Sequence, residues 1–354
     1  MPSVVSLFSG AGGLDLGFIQ EGCEVVFAND LMHEAVQTYK YNIGNHIFEG
    51  DIRDKLDVLK CYKDIDIVIG GHPCQGFSVA GKMDPDDERS GMVWEFAKII
   101  NIIRPKVFAM ENVKALGLLK KWANVRTRLL HYFSSLGYTV DYTIVNACDH
   151  NVAQARERVI FIGSRIHSNL PDISLLFHSI RIPGPTVREA LSILDHAGSG
   201  NNCSICNAKV TLAEKPILRK SPYAGMLFNG LGRPIRINGY CSTLPASMGG
   251  NKTPIIDSDE LYLGKSSWVE NYHADLLNGK CAIFGNAPKR LRRITVQEAA
   301  ILQGFPINYN FCGCKSSKYT QIGNSVPPGL GKAIAHVLLM LLHDSASYLP
   351  IAIY

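Results

Sequence analysis

The sequence predicts an α/β protein: a doubly wound, mainly parallel sheet with helices on both faces, joined to a smaller and irregular second body. Three observations predict it. Short apolar runs alternate with amphipathic stretches over the first 165 residues, the pattern of strands linked by crossover helices. Glycine or polar residues close those runs, on the side where an open parallel sheet binds ligands. From about Leu170 the texture changes, and residues 183–290 are rich in Gly, Pro, Asn and Ser with no helix-length periodicity, which predicts a loop-built body.

The strands are expected, in order, at "SVVSLFS", "EVVFAND", "DIDIVIGG", "KVFAMEN", "YTVDYTIVNA" and "RVIFIGS". Each is short, apolar and rich in β-branched residues. Helices are expected at 91–103 ("GMVWEFAKIINII") and 123–136 ("ANVRTRLLHYFSSL"). Helical spacing returns late, at "TVQEAAILQGF" and "GLGKAIAHVLLMLL", and suits helices packed back on the first body. The expected division is 1–182 for a catalytic and ligand-binding domain, 183–290 for the second domain, and 291–354 for a return to the first with a C-terminal helix.

Composition bounds the function. A chain of 354 residues with 46% apolar and 19% charged residues can bury a sizeable core and is not disordered. An alternating run already begins at Val4 rather than a leader segment, and "AIAHVLLMLL" spans ten residues against the roughly 18 needed to cross a bilayer. A cytoplasmic protein with no membrane partner is expected. Ten scattered cysteines read as reduced thiols rather than a disulfide framework. "CSIC" (203–206) invites a zinc reading, but its possible partner "CGC" (312–314) has a spacing poorly suited to zinc, so no metal is expected. The net charge is only +5, yet residues 208–295 hold seven Lys and six Arg against three Asp and three Glu, a local +7. Such a basic segment points to a polyanionic partner.

Chemistry concentrates where the predicted strands end. "SLFSGAGGLDLGF" (6–18) is a strand, a glycine turn and a helix start, in which Gly10, Gly12 and Gly13 let the backbone approach a ligand. Asp15 stands where a dinucleotide fingerprint needs its third glycine, and a carboxylate there disfavours pyrophosphate. Asp30, closing the second strand, is placed to accept from ribose hydroxyls, so a nucleoside without phosphate fits better, S-adenosylmethionine being a common one. "EGDI" (49–52) offers Asp51 and Ile52 to an adenine edge and face. Cys74, in "GGHPCQGFS", sits beyond a strand, where a lowered pKa would make its thiolate a nucleophile, and Pro73 fixes its turn. "FAMENV" (108–113) ends in Glu111 and Asn112, and "QARERV" (154–159) places Arg156 and Arg158 on one face if extended.

The ordered set "FSGAGG", "GDI", "PCQ", "ENV", "QARER", "RRITVQEAAILQGFP" and "QIGNSVPP" resembles the motif series of the bacterial DNA cytosine carbon-5 methyltransferases of restriction-modification systems, over nearly the whole chain. The resemblance implies the S-adenosylmethionine-dependent methyltransferase fold, with residues 183–290 as target recognition domain. It implies that Cys74 adds to carbon 6 of a cytosine swung out of duplex DNA, that Glu111 engages ring nitrogen 3, and that Arg156 and Arg158 support it. For the S-adenosylmethionine pocket it implies Phe8, Gly10, Gly12, Gly13, Asp30, Asp51, Ile52, Pro73, Asn324 and Val326. Ser78, after the nucleophile, and Arg233, Arg236, Asn251 and Lys252, on the segments "FNGLGRPIRINGY" and "TLPASMGGNKTP", are the candidates for DNA contact. Double-stranded DNA is the implied partner, with a companion restriction endonuclease acting on the same site and a monomeric enzyme. Two departures stand out: His72 where an apolar residue or proline is common, and Ala80 for a serine seen in some members. A transfer RNA cytosine-5 methyltransferase is the runner-up, disfavoured by the long basic region; an oxidoreductase is a distant third, failing at Asp15.

Overall fold

The computed structural model describes residues 1–72 and 91–343; Pro73, Cys74, Ser78 and Ala80 lie outside the described residues. Its strands are β1 (Ser3–Leu7), β2 (Glu24–Asp30), β3 (Ile47–Glu49), β4 (Ile67–Gly70), β5 (Val107–Val113), β6 (Thr139–Asn146), β7 (Gln154–Ala155), β8 (Glu157–Ser164), β9 (Thr211–Ile217), β10 (Met226–Phe228), β11 (Cys241–Ser242), β12 (Ile255–Asp257), β13 (Gly285–Asn286) and β14 (Leu291–Arg293). The helices are α1 (Gly13–Gln20), α2 (His33–Asn42), α3 (Leu56–Leu59), α4 (Met92–Ile103), α5 (Lys114–Leu118), α6 (Ala123–Ser135), α7 (Ile173–Ser179), α8 (Val187–Leu191), α9 (Ser258–Leu263), α10 (Trp268–Leu277), α11 (Val296–Gln303), α12 (Lys315–Asn324) and α13 (Pro328–Leu342). Two compact units result: Met1–His150 with Arg156–Pro183 and Ser325–Tyr354, and Asn151–Ala155 with Gly184–Asn324.

The first unit holds a seven-stranded sheet in the order β3-β2-β1-β4-β5-β8-β6. β1 pairs in parallel with both β2 and β4, so the strand order reverses between β1 and β4, the switch point at which open sheets leave a crevice. Only β8 runs against its neighbours, pairing antiparallel with β5 and β6. Val5, Val68, Phe96, Phe108, Phe133 and Phe161 fill a core sealed from water. The apolar C-terminal helix is part of this interior: Leu330, Ile334, Val337 and Leu338 of α13 are buried, and α13 crosses α1 so closely that a Cβ on Gly17 would lie 2.2 Å from the Lys332 amide nitrogen.

The second unit has its own core of Leu212, Leu227, Phe228, Ile255, Val269, Tyr272 and Leu291, around the small sheet β10-β9-β13. Two expectations are corrected here. Residues 183–290 are not helix-free, because α10 starts where the Ser267 side chain accepts from the Glu270 amide, an N-cap that the surrounding Gly and Ser disguise. The chain also does not return to the first unit at 291. β14 pairs with β12, and the Thr295–Glu298 capping box of α11 is tied to buried Asn202 and to Arg292, so the compact division falls after Asn324.

Candidate active site

The glycine turn is built as its sequence suggests. After β1 the backbone enters the left-handed region at Phe8 (φ 57°), Gly10 (55°) and Gly12 (82°), which glycine tolerates and phenylalanine does not without support. The support comes from β2: the Ser9 amide donates to the Asn29 carbonyl at 2.9 Å, and the Gly10 amide donates to Asp30 Oδ2 at 2.8 Å. Asp30 Oδ1 accepts from the Met32 amide at 2.8 Å, just before α2. One carboxylate thus pins both the turn and the next helix start. Burial pushes the Asp30 carboxyl above its ordinary range, against the pull of these amides.

Asp15 takes a role that sequence reasoning did not assign. It is fully buried, accepts from Ser6 Oγ at 2.7 Å and Tyr39 OH at 2.8 Å, and Tyr39 OH also meets His46 Nε2 at 3.0 Å. Burial raises its carboxyl to about 6. The network ties β1 and α1 to α2, which accounts for a carboxylate where a pyrophosphate-binding turn has glycine.

Asp51 caps the turn after β3, accepting from the Arg53 amide at 2.9 Å, and the Arg53 guanidinium grips its carboxylate at 2.6 Å. That pairing holds its carboxyl below the usual range. Ile52 beside it is buried. The residues at this edge suit a nucleoside-type donor: an aromatic ring at Phe8, an apolar side chain at Ile52, carboxylates at Asp30 and Asp51, and a turn whose helix carries buried Asp15 rather than a phosphate-accepting glycine. Gly13 opens α1. Val326 lies at the same switch point, its Cγ2 3.3 Å from where a Cβ on Gly71 would stand. Asn324 ends α12 in the second unit and is exposed.

Glu111 closes β5 as expected, and its carboxylate is almost sealed from solvent. Arg158 Nε meets Glu111 Oε1 at 2.8 Å, both side chains being about one-tenth exposed (11% and 9%). The antiparallel register makes the pair: Val113 faces Arg158 and Glu111 faces Ile160, so the two charged side chains share a face one step apart. Glu111 Oε2 would lie 3.3 Å from a Cβ on Gly71, so the chain leaving β4 passes directly against the carboxylate. Arg156 is buried immediately before β8, its carbonyl accepting from the Ala147 amide at 3.0 Å. Missed from sequence were the Arg53 grip on Asp51 and a buried contact between His72 and Asn112 at 2.7 Å; His72 stands out only as an unusual residue before "PC".

In the second unit, the structure joins the two candidate recognition segments. The Gly232 amide donates to the Asn251 carbonyl at 3.2 Å, and the Ile255 amide to the Arg233 carbonyl at 2.9 Å. Asn251 and Lys252 are exposed, and Arg236 stacks over Tyr223, 5.1 Å from its ring centre. Arg233, Arg236 and Lys252 have no ion pair among the described residues. Cys203, Cys206, Cys312 and Cys314 form no disulfide among the described residues, and among the described residues no group of three or more His, Cys, Asp or Glu side chains is arranged to hold a metal.

A family model for C-5 cytosine-specific DNA methylases matches residues 3–339. The chain is 32% identical to the Type II methyltransferase M.NgoFVII of Neisseria gonorrhoeae, over 97% of this chain and 88% of that one, and 30% identical to M1.HphI of Haemophilus parahaemolyticus, over 95% and 86%. Among solved structures it resembles the S. pombe Dnmt2 methyltransferase, with a TM-score of 0.66 at 18% identity over 97% of this chain and 99% of that one, a likeness of fold. The chain belongs to the C-5 cytosine-specific DNA methylase family. It methylates carbon 5 of cytosine in DNA, with a methyl donor of the S-adenosylmethionine type. The RNA-directed alternative has less support, because the family match covers nearly the whole chain and names DNA.

Proposed function

We propose that the reaction runs through a covalent adduct of Cys74 on a cytosine swung out of the duplex, with S-adenosylmethionine as donor. The observation that carries the reading is the Glu111 carboxylate, held by Arg158 at 2.8 Å against Gly71, where the chain leaves β4 three residues before Cys74. Carbon 5 of cytosine is a poor nucleophile. Addition of the Cys74 thiolate to carbon 6, with the Glu111 carboxyl donating to ring nitrogen 3, converts the ring to an enamine whose carbon 5 can attack. Bound donor supplies an electrophilic methyl group. A base then takes the carbon-5 proton, the carbon 6–sulfur bond breaks, and the thiolate departs with the electron pair. Arg158 fixes the carboxyl so that its hydrogen bond strengthens as charge develops on the ring, and Arg156 supports the same strand end.

Phe8, Gly10, Gly12, Gly13, Asp30, Asp51, Ile52, Pro73, Asn324 and Val326 are the residues assigned to the donor. Asp30 keeps lone pairs for ribose hydroxyls, Asp51 accepts from the adenine amino group, and Phe8 and Ile52 supply apolar faces. Residues 183–290 select the sequence, with Arg233, Arg236, Asn251, Lys252 and, on the catalytic side, Ser78 contacting DNA; the first unit carries the chemistry. The enzyme acts as a monomer in the bacterial cytoplasm, protecting sites cut by a companion restriction endonuclease. Cys74→Ser tests the reading: turnover should fall by about 10³-fold or more while donor binding, measured by calorimetry, stays intact. Retained turnover in that variant would contradict it.

A further inference from the structure

His72 is 2% exposed and ends the stretch of chain leaving β4, before the segment that carries Cys74. Asn112, on β5 beside Glu111, is 1% exposed. The Val113 amide lies 2.8 Å from Asn112 Oδ1, and a backbone amide can only donate, so that side-chain atom is the oxygen. The other end of the amide, Nδ2, therefore faces His72 Nδ1 at 2.7 Å. An NH₂ group only donates, which makes Nδ1 the acceptor and puts the imidazole hydrogen on Nε2. The His72 ring also meets Phe8 edge-on, with centroids 6.3 Å apart. The imidazole thus touches the glycine-turn edge on one side and the glutamate strand on the other.

We propose that His72 is a positioning residue for the methyl-transfer reaction: as the neutral Nε2–H tautomer it accepts from Asn112 and so locks the end of β4 to the end of β5. Both groups are buried, so an apolar replacement leaves the Asn112 amide with an unmet donor, which is costly away from water. The lock fixes the point from which the chain departs toward Cys74 relative to Glu111. A displacement there acts on the geometry of addition rather than on donor binding. This inference rests on the roles given above to Cys74 and Glu111.

The test uses the full-length enzyme and duplexes carrying 5-fluorocytosine, whose carbon-5 fluorine cannot be abstracted. His72→Phe should slow both turnover and formation of the denaturant-resistant adduct by roughly 5- to 100-fold, with donor KM within about twofold of wild type. His72→Gln, whose Oε1 can accept from Asn112, should recover to within about threefold of wild type. Wild-type rates in His72→Phe, or equal loss in both variants, would overturn the proposal. Failure of the wild type to form any adduct would instead strike the Cys74 reading. Should His72→Phe not fold, ¹⁵N-histidine NMR of the wild type decides. The resonances missing from His72→Gln must show a protonated Nε2 and a bare Nδ1; an Nδ1–H or imidazolium pattern would overturn the assignment.

Discussion

In the first unit acids at strand ends are held tightly, whereas in the second unit several loop cations have no ion pair among the described residues, beside others, such as Arg290 on Asp257, that do. Asp30 is held by two backbone amides, Asp51 by Arg53 and Glu111 by Arg158. Arg233, Arg236, Lys252 and Lys289 have no ion pair among the described residues. Fixed dipoles and charges aimed at one point stabilise a developing charge without reorganising. Cations without an ion pair suit a polyanion whose bound counterions they replace. The contrast is what the proposed division of labour requires, catalysis in the first unit and DNA binding in the second.

Glu111→Gln should break the first half of that comparison most severely. It keeps the shape but cannot transfer a proton to the ring, so turnover should fall roughly 10²- to 10⁴-fold with donor affinity nearly unchanged. Equal losses in donor affinity, measured by calorimetry, would assign Glu111 a structural part instead.

The second half is sharpened by Arg233→Ala and Arg236→Ala. An arginine bidentate to guanine is worth about 1–3 kcal/mol of discrimination, whereas one on phosphate weakens all sequences alike and lowers the salt slope by about one unit. At least one of the two is expected to relax selectivity at a single position in methylation profiles over a randomised-site library. Profiles identical to wild type for both would reduce the pair to phosphate contacts.

Asp15→Asn should have the smallest effect, on stability alone. Burial holds the folded carboxyl at about 6 against an ordinary 3.8. The unfolded chain therefore loses its proton first as pH rises, and the folded state loses stability between about pH 4 and pH 6, by on the order of 1–3 kcal/mol. An asparagine does not titrate. Relative to wild type, the variant should gain stability as pH rises through that window and hold a constant offset above it, in denaturant melts at stepped pH. A parallel pH dependence in the two proteins would show that Asp15 is ionised when folded.

Much of the first unit was legible because its signals are local. "EVVFAND" is β2 to the residue and 91–103 is α4 to within one, since apolar periodicity and strand-ending polar groups depend on near neighbours. Glu111 and Arg158 were nameable from their motifs; their contact was not, because it depends on the antiparallel register of β5 and β8. β3, three residues long, carries too little pattern to announce itself. In the second unit α10 escaped notice among Gly- and Ser-rich flanks, and the continuation to Asn324 depends on a buried link from Thr295 to Asn202, 93 residues away. His72 was visible only as an odd residue before "PC"; that it faces Asn112 required the fold.

The central claim is that chemistry in the first unit begins with one thiolate. Peptide mapping of the denaturant-resistant adduct formed with donor and a 5-fluorocytosine duplex tests it most directly, since ten cysteines are available. The account predicts a single cross-linked peptide containing Cys74, formed at the wild-type rate in Arg233→Ala on cognate duplex at saturating DNA. No adduct, or one mapped to another cysteine, would contradict it.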